Sequence, residues 1–211
     1  MKTNSRTETN LKRHVIGIID LDIGNTVKIK TFLEKDGYKT HIVTPEDIRK
    51  NIYIDSLIIP GIGNFGMIMG RIREEGIDFY VRRQIELGNR VIGICVGAQI
   101  LLEYSEESST AGLGLLQGFN SLNANNFSPL NIGRQEVLFR DLKNQEYNSS
   151  RFYFAHQYGA RLADDSSVVA VTSSGIVALF KKDNIYGLQF HPEKSGMAGM
   201  NVMHGIMDGK L

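Results

Sequence analysis

The sequence predicts an α/β fold: a mostly parallel central sheet flanked by helices, with a largely antiparallel C-terminal half. Three observations carry this expectation. Between His14 and about residue 105, short apolar runs alternate with longer amphipathic stretches. The runs are apolar at nearly every position, as strands covered on both faces are. After about residue 115 the runs stay short but are separated by hairpin-like turns, the texture of antiparallel pairing.

The elements follow in order. Residues 15–19 are an apolar run that ends at Asp20. Residues 26–33 carry a helical pattern that stops near Asp36-Gly37, where glycine ends helices readily. Strands follow at 40–43, ended by Thr44-Pro45, and at 57–59, closed by Pro60-Gly61. A glycine-rich turn over 61–66 leads into helical patterns across 67–74 and 77–87. Residues 91–94 are again fully apolar, and the stretch Gln-Ile-Leu-Leu-Glu-Tyr from Gln99 reads as a helix. In the second half, strands are expected at 137–139, 151–154, 168–172, 176–180 and 185–190. Ser173-Ser174-Gly175 and Lys182-Asp183-Asn184 supply turns between them. The Asn- and Ser-rich residues 120–131 read as a loop, and a last helix covers about 199–207.

With 211 residues, 42% of them hydrophobic and 22% charged, the chain is long enough for one sizeable core. A single domain over 14–211 is expected, behind a polar, flexible tail over 1–13. That tail has no apolar core and so does not read as a signal peptide. No run approaches the roughly 20 apolar residues that span a bilayer. The net charge of +1 gives no electrostatic pull toward nucleic acid or a membrane surface. A single cysteine, Cys95, excludes an internal disulfide and a multi-cysteine zinc site, and fits a reducing cytoplasm. No His, Cys and Asp set has ligand spacing, so neither a metal nor a cofactor is expected.

The sharpest local signal is Gly93-Ile94-Cys95-Val96-Gly97-Ala98-Gln99. A nucleophile between two glycines, at the turn from an apolar strand into a helix, forms a nucleophile elbow. The glycines are needed because a Cβ at either flank would collide with neighbouring backbone. The elbow lifts the sulfur above the sheet edge, at a helix N-terminus that favours the thiolate. The N–H of Val96 then points where an oxyanion would form. A lone cysteine more commonly packs as a small hydrophobe. The flanking glycines distinguish Cys95 from that case.

A nucleophilic cysteine needs a base. Among five histidines, His191 stands just past an apolar strand, in Phe190-His191-Pro192-Glu193-Lys194. Glu193 lies two residues on, so one turn presents a base and the acid that orients it. His14, His41 and His204 suit structural roles. A second glycine-rich segment, Pro60-Gly61-Ile62-Gly63-Asn64-Phe65-Gly66, also follows an apolar strand. It therefore lies at the carboxyl edge of the sheet, where ligands bind in open α/β folds, and its N–H groups suit the other half of an oxyanion hole. Its position after the third strand argues against a dinucleotide fingerprint. The elbow alone also fits a redox sensor or a cysteine peptidase. The Cys95, His191 and Glu193 set argues against a sensor, which needs only a reactive thiol.

Together these three segments resemble the class I, or triad, glutamine amidotransferases, and within them the glutaminase subunit of imidazole glycerol phosphate synthase. The resemblance runs from His14 to the C-terminus. It implies a glutaminase that uses Cys95 as nucleophile, His191 as base and Glu193 as its orienter. It implies an oxyanion hole at Gly61, Ile62 and Val96, and glutamine contacts from Gly63, Gln99, His156, Gln157 and Tyr158. Gln157 departs from the Ser or Thr usual in the family. The implied partner is a (β/α)₈ cyclase subunit in a heterodimer, with Asn25, Arg134 and Lys194 near the passage for ammonia. Leu130-Asn131-Ile132-Gly133-Arg134-Gln135 stands where the family usually has Pro-His-Met/Ile-Gly-Trp-Asn. A buried Arg134 would need a paired acid on the partner. Paralogues of this subunit feed ammonia to enzymes that amidinate bacterial surface sugars, so the altered segment leaves that acceptor open too.

Overall fold

A computed structural model describes residues 14–22, 25–122, 130–141, 143, 147–148 and 150–211. The expected tail over 1–13 and most of the expected loop over 120–131 lie outside these residues. The first half runs β1 (Val15–Ile19), α1 (Thr26–Glu34), β2 (Lys39–Val43), α2 (Pro45–Lys50), β3 (Ser56–Ile59), α3 (Phe65–Glu74), α4 (Ile77–Glu86), β4 (Arg90–Ile94) and α5 (Val96–Gln99). The second half runs β5 (Tyr104–Ser105), β6 (Ser108–Ala111), β7 (Gly118–Leu122), β8 (Asn131–Phe139), β9 (Arg151–His156), β10 (Tyr158–Leu162), β11 (Val168–Thr172), β12 (Val177–Lys182), β13 (Ile185–Leu188) and α6 (Gly196–Met207).

One sheet has the order β2-β1-β3-β4-β13-β12-β11-β8-β9. From β2 to β13 neighbouring strands are parallel, and from β13 to β9 they are antiparallel. Strand β13 therefore joins the two textures read from the sequence. β3 is buried at every position and β4 at all but its first. Helices cover these strands with apolar stripes. α3 buries Phe65, Ile68, Met69 and Ile72, and α4 buries Ile77, Tyr80 and Val81, the three-and-four spacing of one helix face. Among the described residues no helix is long and apolar enough to cross a membrane.

Four differences from the sequence reading have local causes. Helix α2 follows the strand where Thr44-Pro45 suggests only an ending. Thr44 and Asp47 form a capping box, with Asp47 N–H donating to Thr44 Oγ1 and Thr44 N–H to Asp47 Oδ2, and Pro45 occupies the first helical position. The helix expected from Gln99 to Tyr104 is instead a single turn, α5. Ile100, Leu101 and Leu102 are all fully buried, so no amphipathic face exists. Their carbonyls accept from the N–H groups of Leu113, Leu115 and Gly114 rather than from a following helical turn. Strand β8 begins at Asn131, well before residue 137, and alternates exposed and sheltered positions. A second sheet, ordered β10-β7-β5-β6, takes residues 120–122 out of the expected loop and into β7.

Candidate active site

The elbow follows from its glycines. A Cβ on Gly97 would sit 2.0 Å from the Ile59 carbonyl oxygen, and one on Gly61 would sit 2.1 Å from Gly97 N. The glycine-rich segment after β3 therefore runs backbone against backbone along the start of α5. Cys95 sits at φ +55° and ψ −113°, a left-handed strained conformation for a residue with a side chain. Its N–H donates to the Leu188 carbonyl at 2.7 Å, which ties the elbow to the end of β13. The side chain is buried, with Sγ 3.8 Å from the Ala155 carbonyl oxygen.

His191 comes from the turn after β13. Its N–H donates to the Tyr153 carbonyl at 2.8 Å. Ser195 Oγ donates to the His191 carbonyl at 2.6 Å and accepts from Tyr153 N–H at 3.0 Å, which pins the turn to β9. The ring and the Glu193 carboxylate are both buried and lie 2.9 Å apart, Nδ1 to Oε1. A carboxylate only accepts, so Nδ1 carries the proton and Nε2 is left for Cys95. Burial pulls the His191 pKa down, but hydrogen bonds to Cys95 and Glu193, and their charges, outweigh it and raise it to about 9.

A cavity of about 280 Å³ opens over this pair. Of the residues expected at the site, Ile62, Gly63, Cys95, Val96, Gln99, His156, Gln157, Tyr158, His191 and Lys194 line it. Gly61 lies behind the lining, packed on Val96 and Gly97. Asn25 is fully buried at the start of α1, with neither side-chain polar atom bonded among the described residues, and is not part of the lining. Arg134 is exposed outside the cavity, and its guanidinium donates to the Lys194 carbonyl at 3.0 Å. Lys194 Nζ lies 5.2 Å from the centre of the Tyr153 ring.

Gln99 reaches from α5 to the far wall, its amide donating to the Tyr158 carbonyl at 2.6 Å and to Gln189 Oε1 at 3.3 Å. His156 is held neutral, its pKa pushed down to about 4 by burial against the partial support of the Tyr158 carbonyl. Glu107 is a lining residue that sequence reasoning missed. It stands between β5 and β6, and its Oε2 accepts the Phe65 N–H at 2.8 Å, holding the end of the glycine-rich segment. The run Ser105-Glu106-Glu107-Ser108 reads as solvated polar surface, and only the fold of the second sheet brings it to the cavity.

The description "Glutamine amidotransferase class-I" matches residues 17–204. The imidazole glycerol phosphate synthase subunit HisH of Geobacillus sp. (strain WCH70) is 34% identical, over 93% of this chain and 99% of its own. HisH of Leptospira interrogans is 36% identical, over 91% of this chain and 98% of its own. Among solved structures, PurLQS from Thermotoga maritima superposes with a TM-score of 0.73 at 21% identity, over 94% of this chain and 99% of that one, a likeness of fold. The model match and the near full-length relatives place the chain in the class I glutamine amidotransferase family.

Proposed function

We propose that the chain is a glutaminase subunit that hydrolyses glutamine to glutamate and hands the ammonia to a cyclase making imidazole glycerol phosphate in histidine biosynthesis. The observation that carries the reading is Cys95 in the lining of a cavity beside an imidazole held by a buried carboxylate. The names of relatives similar over nearly their whole length support the pathway.

The chemistry follows from the geometry. At neutral pH a His191 that titrates near 9 is protonated, so it starts as an acid. Cys95, its proton already on His191, attacks the side-chain amide carbon of glutamine as the thiolate. The oxyanion faces the N–H of Val96 and the N–H groups of the glycine-rich segment around Gly61 and Ile62. His191 gives its proton to the amide nitrogen, the C–N bond breaks, and ammonia leaves a γ-glutamyl thioester. Water then loses a proton to His191 and attacks the thioester, the C–S bond breaks, and glutamate departs. Glu193 keeps the imidazole in one tautomer throughout. The Glu107 carboxylate suits the α-ammonium of glutamine, and Gly63, Gln99, Gln157 and Tyr158 form the walls around the substrate. On the partner side, Lys194 and buried Asn25 flank the exit for ammonia, and Arg134 takes an acidic residue of the cyclase. A lone thiol nucleophile fits a reducing cytoplasm.

Glutamate release, measured with and without the histidine-pathway cyclase carrying its nucleotide, tests the reading. Strong stimulation is expected, and Cys95→Ala removes roughly 10⁴-fold or more of the rate, as loss of a nucleophile does elsewhere. Turnover retained in Cys95→Ala refutes the mechanism. A cyclase that uses free ammonia yet gives no stimulation refutes the pathway and favours a sugar-amidinating partner.

A further inference from the structure

The chain crosses from the large sheet to the small one at Gln157, between β9 and β10, and this kink forms one wall of the cavity. His156 stitches the kink. Its Nδ1 lies 2.8 Å from the carbonyl oxygen of Tyr158, two residues on. A carbonyl only accepts, so Nδ1 is the protonated nitrogen. Nε2 of the neutral ring is then an acceptor, and Asn131 Nδ2 donates to it at 2.9 Å. Asn131 Oδ1 in turn accepts from the Gln135 side chain, four residues further along the same face of β8. The same Tyr158 carbonyl takes the Gln99 amide from α5. A continuous chain of hydrogen bonds thus runs Gln135, Asn131, His156, Tyr158, Gln99, from β8 to the helix that follows the nucleophile.

Asn131 and Gln135 lie on the same strand, β8. They sit at sheltered positions of β8, while Ile132 and Arg134 between them point outward. Asn131 is paired in register with His156 itself. We propose that Asn131 and His156 act as a positioning pair for glutamine: Asn131 sets the tautomer of His156, and His156 sets the kink at Gln157 that shapes the substrate wall. This rests on the glutaminase reading above, and it makes His156 a support for the wall rather than a direct ligand of glutamine. The low pKa of His156 agrees, because an imidazolium has no acceptor to offer Asn131.

The decisive variant is Asn131→Asp, which keeps the shape but replaces the donor with a charged acceptor, so that His156 takes a second proton and the imidazolium is drawn toward the new carboxylate and off the Tyr158 carbonyl. Modification of Cys95 in the full chain is followed with a glutamine-shaped chloroketone and with iodoacetamide. The wild type is expected to prefer the chloroketone, and Asn131→Asp to lose about tenfold of that preference, the worth of one well-placed hydrogen bond, with the iodoacetamide rate little changed. In turnover the loss falls on KM rather than kcat. A selective wild type with an equally selective Asn131→Asp overturns the pairing and leaves the glutaminase reading intact. A wild type without selectivity removes the glutaminase reading, and the pairing with it. Nitrogen NMR of His156 in the wild type needs neither activity nor a folded variant. The Nδ1–H tautomer is expected, and an Nε2–H tautomer overturns the inference.

Discussion

The parallel and antiparallel halves of the large sheet solve different problems. β3 and β4 are buried on both faces and end in two glycine-rich turns locked against each other. β8 shows the other arrangement, with Ile132, Arg134, Glu136 and Leu138 facing outward and their neighbours facing inward. The first half holds Cys95 in a conformation it would not choose alone. The second carries His191 and Glu193, the cavity wall from His156 to Tyr158, and the outward face of β8. Strands buried on both faces, β3 and β4, and a strand with an exposed face, β8, are thus separated along one sheet, and the two halves meet where β13 pairs with β4.

Four measurements break or sharpen this contrast. The largest effect is expected from Gly97→Ala, because the added carbon meets backbone rather than a movable side chain. It should cost roughly 3 kcal/mol or more and abolish Cys95 modification by a glutamine analogue. Normal melting in that variant would show that the two glycine turns are not locked. Next, Ile58→Ala in the fully buried β3 should cost about 2–5 kcal/mol in denaturant unfolding.

The third measurement is pH. His191 is raised to about 9 in the fold, above its ordinary value of 6.5. Its contribution to stability is therefore complete below about 6.5 and is lost as pH rises through 9. His156 is lowered to about 4, so its contribution is complete above 6.5 and is lost as pH falls through 4. Melting temperature should decline on both sides, with Glu193→Gln flattening the alkaline limb and His156→Asn the acid one. Unchanged limbs would mean that neither ring feels its neighbours as the geometry requires. The smallest effect is expected from Ile132→Ala, more than half exposed on β8, at about 0.5 kcal/mol or less. A large loss there would give β8 a structural role beyond its outward face.

The contrast also governs what could be read from the sequence. The parallel half announced itself, because strands covered on both faces leave unbroken apolar runs such as residues 57–59 within β3. The elbow was legible because backbone imposes both its glycines: a Cβ on Gly93 would meet Gly97 within the same turn, and one on Gly97 would meet the Ile59 carbonyl at the end of β3. Cys95, His191 and Glu193 come together as their spacing around strand ends suggests. β8 was read as three residues instead of nine because its polar alternation hides it, and β5 to β7 are too short and polar to stand out. Glu107 stayed hidden because its place in the cavity depends on long-range pairing of those strands. Ile100 to Leu102 misled for the opposite reason: a run that is apolar throughout does not say which partner its carbonyls will find.

The turn that carries His191 has a consequence for solubility. β9 is the last strand of the large sheet, and an open strand edge invites pairing with another chain. On the outer edge of β9, the Tyr153 carbonyl is taken by His191 N–H and the Tyr153 N–H by Ser195 Oγ. The segment that bears the base therefore also caps the sheet. Any strand adding at this edge of β9 has to dislodge that turn first, so damage to the turn exposes a sticky edge, and aggregation is its expected companion.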